Sequence, residues 1–132
     1  MASPTKSTPS PYTTRRRILV VEDQADTAAT LALLLRLHGH EVNVALDGTA
    51  ALQTLQSLTA DVVFIDIGLP DIDGREVARR IRQSSGNGTM LVALTGYAEK
   101  DDQQRSAEAG FNHHLTKPVT LPIINKILET IH

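Results

Sequence analysis

Three acidic side chains directly follow two apolar runs of this sequence. Glu22 and Asp23 come after Ile18–Val21, and Asp66 comes after Val62–Ile65. Short continuous apolar runs are typical of strands buried on both faces. Three acids that converge on one pocket repel one another, and a divalent cation removes that conflict. A few oxygen ligands facing a phosphate suit Mg²⁺. We therefore expect Asp23 and Asp66 to bind the ion directly and Glu22 to hold a metal-bound water.

Groups that interact with anions follow two later apolar runs. Thr95 and Gly96 follow one run and offer a hydroxyl and a backbone N–H, and Lys117 and Pro118 follow the last. Phosphoryl transfer depends mainly on positioning and electrostatic stabilisation, which an ammonium group, a cation and these donors supply. A carboxylate is a competent nucleophile toward phosphorus, so attack by Asp66 would give an acyl phosphate.

Each candidate residue also has a purely structural interpretation. Asp23 can cap the first helix, and Asp66 can start a turn. Thr95 can bond its own loop, and Lys117 can be an ordinary surface lysine. For Asp23 or Asp66 alone the structural interpretation is favoured. Asp26 offers an alternative cap for the first helix, however, and an acid that closes a buried strand packs poorly, so the combination favours a site.

Strand and helix patterns alternate along the whole chain and would position these residues. The predicted strands are Ile18–Val21, Glu41–Ala45, Asp61–Ile65, Met90–Leu94 and Phe111–Leu115. The predicted helices are Thr27–His38 ending at Gly39, one capped by Asp47, one capped by Asp73, Glu99–Ala109 and Leu121–Ile131. Five strand–helix pairs predict an α/β fold, with a parallel five-stranded sheet and helices on both faces. Ligands bind such sheets at the carboxyl ends of the strands.

The fourth predicted helix differs from the others in composition. Glu99–Ala109 consists mostly of charged and amide residues, so only its alanines are expected to face the sheet. A helix with so little apolar surface packs weakly and moves easily.

Length and composition limit the class of protein. The 132 residues suffice for one compact domain, and 13 basic against 15 acidic residues give a net charge of −2. We therefore expect neither nucleic acid nor a membrane as a direct partner. The absence of cysteine excludes disulfides and thiolate metal sites. Met1–Thr14 is rich in Ser, Thr and Pro and predicts a disordered tail rather than a signal peptide. Residues 15–132 would then form the domain, in a cytoplasmic protein.

Four motifs in order resemble the receiver domain of two-component response regulators. The matching segments are "ILVVEDQADT" (Ile18–Thr27), "DVVFIDIGLPDIDG" (Asp61–Gly74), "ALTGYA" (Ala93–Ala98) and "HLTKP" (His114–Pro118). The resemblance covers roughly residues 16 to 132. It implies a flavodoxin-like (βα)5 fold with strand order 2-1-3-4-5. It also implies a phosphorelay protein that receives its phosphoryl group from a sensor histidine kinase or a histidine phosphotransfer protein. Such a domain catalyses only its own phosphorylation and dephosphorylation.

The resemblance assigns the acceptor and the metal ligands. Asp66 is the implied phosphoacceptor, and Glu22 and Asp23 are the acid pair for Mg²⁺. The carbonyl of Gly68 is a further implied metal ligand, and Lys117 pairs with the phosphoryl oxygens.

The resemblance also assigns a switch. Thr95 contacts the phosphoryl group and shifts toward it, and the Lys117–Pro118 bond is implied to be cis. His114 stands where the family usually has Tyr or Phe that turns inward. It would pass the change to the face formed by the fourth helix, the fifth strand and the fifth helix, whose output partner the sequence does not identify. A His113–His114 metal pair is disfavoured, because neighbours on a strand face opposite sides.

Two other functions use parts of the same set. A Mg²⁺-dependent phosphohydrolase of the haloacid-dehalogenase type needs a second acid two residues after the nucleophile, where this chain has Gly68. A pseudo-receiver that binds partners without phosphorylation does not need the complete set of acids, threonine and lysine. Because the sequence ends after its last predicted helix, we expect no output domain to follow, as in a stand-alone regulator or a segment of a hybrid kinase.

Overall fold

A computed structural model of the chain describes residues 15–85, 88–96 and 100–131. Its strands are β1 (Arg17–Val21), β2 (Glu41–Ala45), β3 (Val62–Asp66), β4 (Met90–Thr95) and β5 (His113–Thr116). Its helices are α1 (Ala25–Leu37), α2 (Gly48–Ser57), α3 (Gly74–Ser85), α4 (Lys100–Ala109) and α5 (Leu121–Leu128). The predicted disordered tail, Met1–Thr14, and the predicted first residue of the fourth helix, Glu99, lie outside the described residues.

The five strands form one parallel sheet in the order β2-β1-β3-β4-β5. Ile18 of β1 lies between Val42 of β2 and Val62 of β3, so the chain winds outward from β1 in both directions. This confirms the predicted fold class and strand order. The order reverses between β1 and β3, which is the position where parallel α/β sheets leave a crevice at the carboxyl ends of their strands.

Strand β3 is buried on both faces of the sheet. Val62 and Phe64 pack with α1 and α5, whereas Val63 and Ile65 pack with α2 and α3 on the opposite face. None of these four side chains is exposed. The continuous apolar run therefore reflects two cores separated by one sheet, and it leaves Asp66 at the end of a buried strand.

Three of the four predicted helix signals are confirmed. Asp73 directly precedes α3, and its Oδ1 accepts the Arg75 N–H at 2.7 Å. Gly39 ends α1 with φ of +92°, a conformation that suits glycine. The Asp47 side chain accepts a hydrogen bond from the Ala50 N–H at 2.7 Å and caps α2. The suggestion that Asp26 caps α1 is wrong. The helix already begins at Ala25 with Gln24 as its N-cap residue, so Asp26 lies inside the first turn, where its charge favours the helix dipole.

The fifth strand begins later than predicted. Phe111 belongs to the core beside α3 instead of the strand. Asn112 follows it and forms two bonds with Leu91: its N–H donates to the Leu91 carbonyl at 2.8 Å, and its side-chain Oδ1 accepts the Leu91 N–H at 2.8 Å. Strand β5 therefore begins only at His113, and its last residue lies beside Thr95.

The expectation that only alanines of α4 face the sheet is wrong. Between Gln104 and Ala109 the buried side chains are Ser106 and Ala109, and Ala107 is exposed. Ser106 tolerates burial because its hydroxyl has a partner, the Nδ1 atom of His114 at 3.1 Å. The helix therefore meets the sheet through a polar contact as well as a small apolar one.

Candidate functional site

The carboxyl ends of β1 and β3 bring three carboxylates together. One ligand oxygen from each of Glu22, Asp23 and Asp66 lies within 4.8 Å of the others. Glu22 and Asp66 are buried, whereas Asp23 is exposed at the mouth of the cluster. The sequence predicted this convergence, because the two strands are neighbours and parallel.

Lys117 bridges the two buried acids. Its Nζ atom donates to Glu22 Oε1 at 2.6 Å and to Asp66 Oδ2 at 3.1 Å. The backbone of the lysine is tied to β4, since its N–H donates to the Thr95 carbonyl at 2.7 Å. The Lys117–Pro118 peptide bond is cis, as the resemblance implies. One ammonium group against three carboxylates leaves two negative charges without a counterion in the cluster.

The pKa values of the bridged groups follow from this geometry. Burial raises the pKa of Glu22, the nearby Asp66 adds to the effect, and the hydrogen bond from Lys117 opposes it. Burial by itself would lower the pKa of Lys117, but its bonds to Glu22 and Asp66 outweigh burial and raise it. Lys117 therefore stays charged at neutral pH, while ionised Glu22 carries a cost that a nearby cation would relieve.

The loop after β3 holds the Asp66 carboxylate from the other side. The Gly68 N–H donates to Asp66 Oδ1 at 2.9 Å, and the Gly74 N–H donates to the Ile67 carbonyl at 3.0 Å. A Cβ atom at Gly74 would lie 2.5 Å from the Asp66 carbonyl oxygen and 2.8 Å from the Ile67 Cα. Only glycine allows α3 to begin so close to the end of β3.

The same loop is tied to α2 through Asp71, a residue that sequence reasoning missed. The Asp71 carboxylate accepts the N–H groups of Gly48 and Thr49 at 2.9 and 3.0 Å and the Thr49 hydroxyl at 2.6 Å. The Thr49 hydroxyl, followed by these backbone donors, lowers the pKa of Asp71 strongly. The available signal was an unassigned acid in the loop, but sequence alone does not show that the start of α2 lies beside it.

Strands β4 and β5 carry the remaining predicted residues. Asp66 pairs with Leu94, so Thr95 is one position beyond the β4 partner of Asp66. Thr95 is buried there, and Gly96 follows it at the exposed surface. His114 pairs with Ala93 and faces α4, where it contacts Ser106.

His113 lies on the other face of the sheet from His114. It pairs with Val92, which belongs to the core under α1 and α5, whereas the Ala93 partner of His114 belongs to the core on the opposite face. The two imidazoles cannot share a metal ion.

Comparison with known proteins identifies the family. A family model described as "Response regulator receiver domain" matches residues 18–129. This chain belongs to the response regulator receiver family. It is therefore a receiver domain of two-component signalling and not a conventional enzyme.

Individual relatives agree with this assignment. An uncharacterized 14.6 kDa protein of Leptolyngbya boryana is 38% identical over 103 residues, which are 77% of this chain and 79% of that protein. The DNA-binding response regulator MtrA of Mycobacterium tuberculosis is 38% identical over 106 residues, or 80% of this chain and 46% of MtrA. The match thus spans about half the length of this regulator. A CheY-like receiver domain from Methylobacillus flagellatus is 30% identical, with a TM-score of 0.81, covering 90% of this chain and 100% of that one.

The donor set of this receiver domain fits the Mg²⁺ that such acidic pockets bind. Every candidate ligand in the cluster is a carboxylate oxygen, the class of ligand that Mg²⁺ prefers. Two uncompensated negative charges match a divalent ion. The exposed position of Asp23 leaves the cluster open to solvent, as an ion that keeps several waters requires.

A groove opens beside the Lys117 side of the site. It has a volume of about 550 Å³ and lies between α1 and the segment that joins β5 to α5. Its lining is mostly apolar and includes Leu31, Leu34 and Val119, with Glu22 and Lys117 at its edge.

In the described part of this receiver domain, no helix combines the length and the apolar character needed to cross a bilayer.

Proposed function

We propose that this receiver domain takes a phosphoryl group onto the Asp66 carboxylate from a phosphohistidine of a sensor histidine kinase or histidine phosphotransfer protein. One observation carries the proposal. Asp66 ends a buried strand, with one oxygen held by the Gly68 N–H and the other by Lys117, and a ligand oxygen of Asp66 lies within 4.8 Å of oxygens of two further acids. A carboxylate so held is oriented before the donor arrives.

Asp23, Asp66 and the Gly68 carbonyl would hold Mg²⁺, and Glu22 would orient a water of that ion. When bound, Mg²⁺ neutralises negative charge on the phosphoryl oxygens. Lys117 supplies the fixed positive charge on the opposite side of Asp66, since its raised pKa keeps it protonated. The ion pair with buried Glu22 holds the Lys117 ammonium group beside Asp66.

The transfer exchanges one bond for another. An Asp66 carboxylate oxygen forms a P–O bond while the P–N bond to the donor histidine breaks. The electron pair of that bond leaves with the imidazole nitrogen, which solvent then protonates. Thr95 ends the strand next to Asp66 and Gly96 follows it, so the Thr95 hydroxyl and the Gly96 N–H would contact the transferred oxygens. The product is an acyl phosphate, which water can later hydrolyse.

The groove and the β4–β5 side would serve the two partners. The apolar groove beside Lys117 suits a helix of the donor protein, which would thereby bring its phosphohistidine to Asp66. Thr95 would shift toward the new charge and His114 would follow, changing the α4–β5–α5 face that binds an output partner. We propose that residues 15–132 form this switching unit and that it works in the cytoplasm, where such kinases present their phosphohistidine.

A phosphodonor assay tests the proposal. The chain is incubated with acetyl phosphate and Mg²⁺ and its intact mass is followed with time. We expect the mass of one phosphoryl group to be added, to map to Asp66, and to be absent in Asp66→Asn or with EDTA. Asp26→Asn is the matched control, because Asp26 is an exposed acid of α1 at the edge of the groove. Rapid donor turnover without label would indicate a phosphohydrolase, and neither label nor turnover would indicate a pseudo-receiver.

A further inference from the structure

Helix α4 meets the sheet through a buried serine. Ser106 is 1% exposed, and of the other side chains between Gln104 and Ala109 only Ala109 is buried. The Ser106 hydroxyl lies 3.1 Å from Nδ1 of His114 on β5. A buried hydroxyl that lost this partner would keep its desolvation cost without a compensating hydrogen bond from the imidazole. The contact is therefore a specific link between the helix and the strand.

The two ring nitrogens of His114 differ in their contacts. Its Nε2 atom is buried and has no hydrogen-bond partner within the described part of the chain. Among the described residues, the imidazole therefore makes its hydrogen bond through Nδ1. Rotation of the ring would break the hydrogen bond of Nδ1 and carry Nε2 to a new partner.

The carboxyl end of α4, by contrast, is anchored firmly. The Arg82 guanidinium of α3 donates to the Gly110 carbonyl through Nε at 2.9 Å and Nη2 at 2.8 Å, and to the Thr89 carbonyl through Nη1 at 2.6 Å. Gly110 has φ of +109°, and the Phe111 N–H bonds back to the Ser106 carbonyl at 3.1 Å. These contacts fix the end of the helix and leave Ser106 as the next attachment toward its amino end.

We infer that Ser106 is a positioning residue for the switch: its hydrogen bond to His114 Nδ1 couples the orientation of the imidazole to the placement of α4. His114 cannot turn without releasing a buried hydroxyl on the helix, so ring and helix change state together. The helix would move about its Arg82-anchored end. This inference rests on the proposed function, because it concerns how phosphorylation of Asp66 reaches the α4–β5–α5 face.

The test uses nuclear magnetic resonance on the whole chain, with Ser106→Ala, Ser106→Cys and the control Ser84→Ala. Ser84 is exposed in the last turn of α3, and its hydroxyl donates to the Arg80 and Ile81 carbonyls of its own helix. The imidazole nitrogen shifts of His114 report its tautomer, and amide exchange reports α4. Without any phosphoryl analogue, we expect Ser106→Ala to shift the His114 nitrogen signals and to speed exchange at residues 104–109 about fivefold, the equivalent of one net hydrogen bond. Ser106→Cys, a weaker donor, should lie between, and Ser84→Ala should match the unsubstituted chain.

Beryllofluoride with Mg²⁺ then tests the coupling. In the unsubstituted chain the His114 ring and the α4 amides should respond together, whereas in Ser106→Ala the Asp66 region should respond and α4 should not follow. Unchanged His114 nitrogen signals in Ser106→Ala, or an undiminished α4 response, would overturn the role of Ser106. If beryllofluoride left the Asp66 amide of the unsubstituted chain unperturbed while Ser106→Ala still shifted His114, the proposed function would fail and the hydrogen bond would stand.

Discussion

Gly74→Ala should weaken the fold and the acceptor site together. The added Cβ would lie 2.5 Å from the Asp66 carbonyl oxygen, whereas ordinary contacts begin at 3.4 Å. The second neighbour is the Cα of Ile67 at 2.8 Å, so both obstacles are backbone atoms that no side-chain rotation removes. Relief requires α3 or the end of β3 to move by about 0.9 Å, the difference between those two distances.

The expected magnitude follows from that overlap. Forcing an extra methyl group into a packed region costs about 1–3 kcal/mol of unfolding free energy. For a domain of this size that lowers the melting temperature by roughly 4–12 °C. A displacement near 1 Å at a reacting group can also cost about 100-fold in rate, so phosphorylation from acetyl phosphate should slow far more than the loss of stability explains.

Urea denaturation followed by circular dichroism, with mass spectrometry of the phosphorylated chain, measures both effects. Gly88→Ala is the matched control, because a Cβ there meets nothing within 4 Å, and its stability should change by less than about 0.5 kcal/mol. Equal stability and equal phosphorylation rates for Gly74→Ala and Gly88→Ala would refute the close approach of α3 to Asp66.

Three further substitutions test the surroundings of the site. Lys117→Met should abolish phosphorylation and cost about 1–3 kcal/mol of unfolding free energy, because Oε1 of buried Glu22 loses its ammonium donor. Denaturation at two pH values should show the deficit shrinking as acid protonates Glu22. Hydrogen bonds lower the pKa of Asp71 in the folded chain, so its carboxylate contributes stability that is present above the unfolded pKa of about 3.9 and is lost progressively below it. Asp71→Ala removes that contribution. The melting temperature of the variant should therefore vary less between about pH 5 and about pH 2 than that of the unsubstituted chain. Burial lowers the pKa of His40, so stability should fall as the pH drops below about 6.5, and His40→Asn should lose that dependence.

Sequence patterns predicted the sheet and the acids because both follow from local rules. A buried parallel strand must be apolar throughout, so Val62–Ile65 could be recognised, and the acid that closes it then falls at the carboxyl edge. Gly39 and Asp47 could be assigned because their conformations and capping bonds depend on near neighbours. The Lys117 bridge needed only the additional knowledge that β5 ends at the same edge.

Contacts between distant segments were not readable in the same way. Asp71 reaches the start of α2 across 22 and 23 residues of sequence, and nothing in its own loop indicates that partner. The polar composition of α4 predicted that Ser106 does not face the sheet, whereas the structure buries it against the His114 imidazole. Asp26 was misplaced because the β1–α1 turn is shorter than the apolar pattern of the helix suggests.

The central claim is tested most directly by crystals of this chain soaked in Mg²⁺ and beryllofluoride. We expect the analogue to be bonded to an Asp66 carboxylate oxygen, with Lys117 Nζ and the Thr95 hydroxyl against its fluorines. A single cation should contact Asp23, Asp66 and the Gly68 carbonyl. An analogue bound elsewhere, or a site in which Lys117 still bridges Glu22 and Asp66 with no cation beside them, would contradict the account.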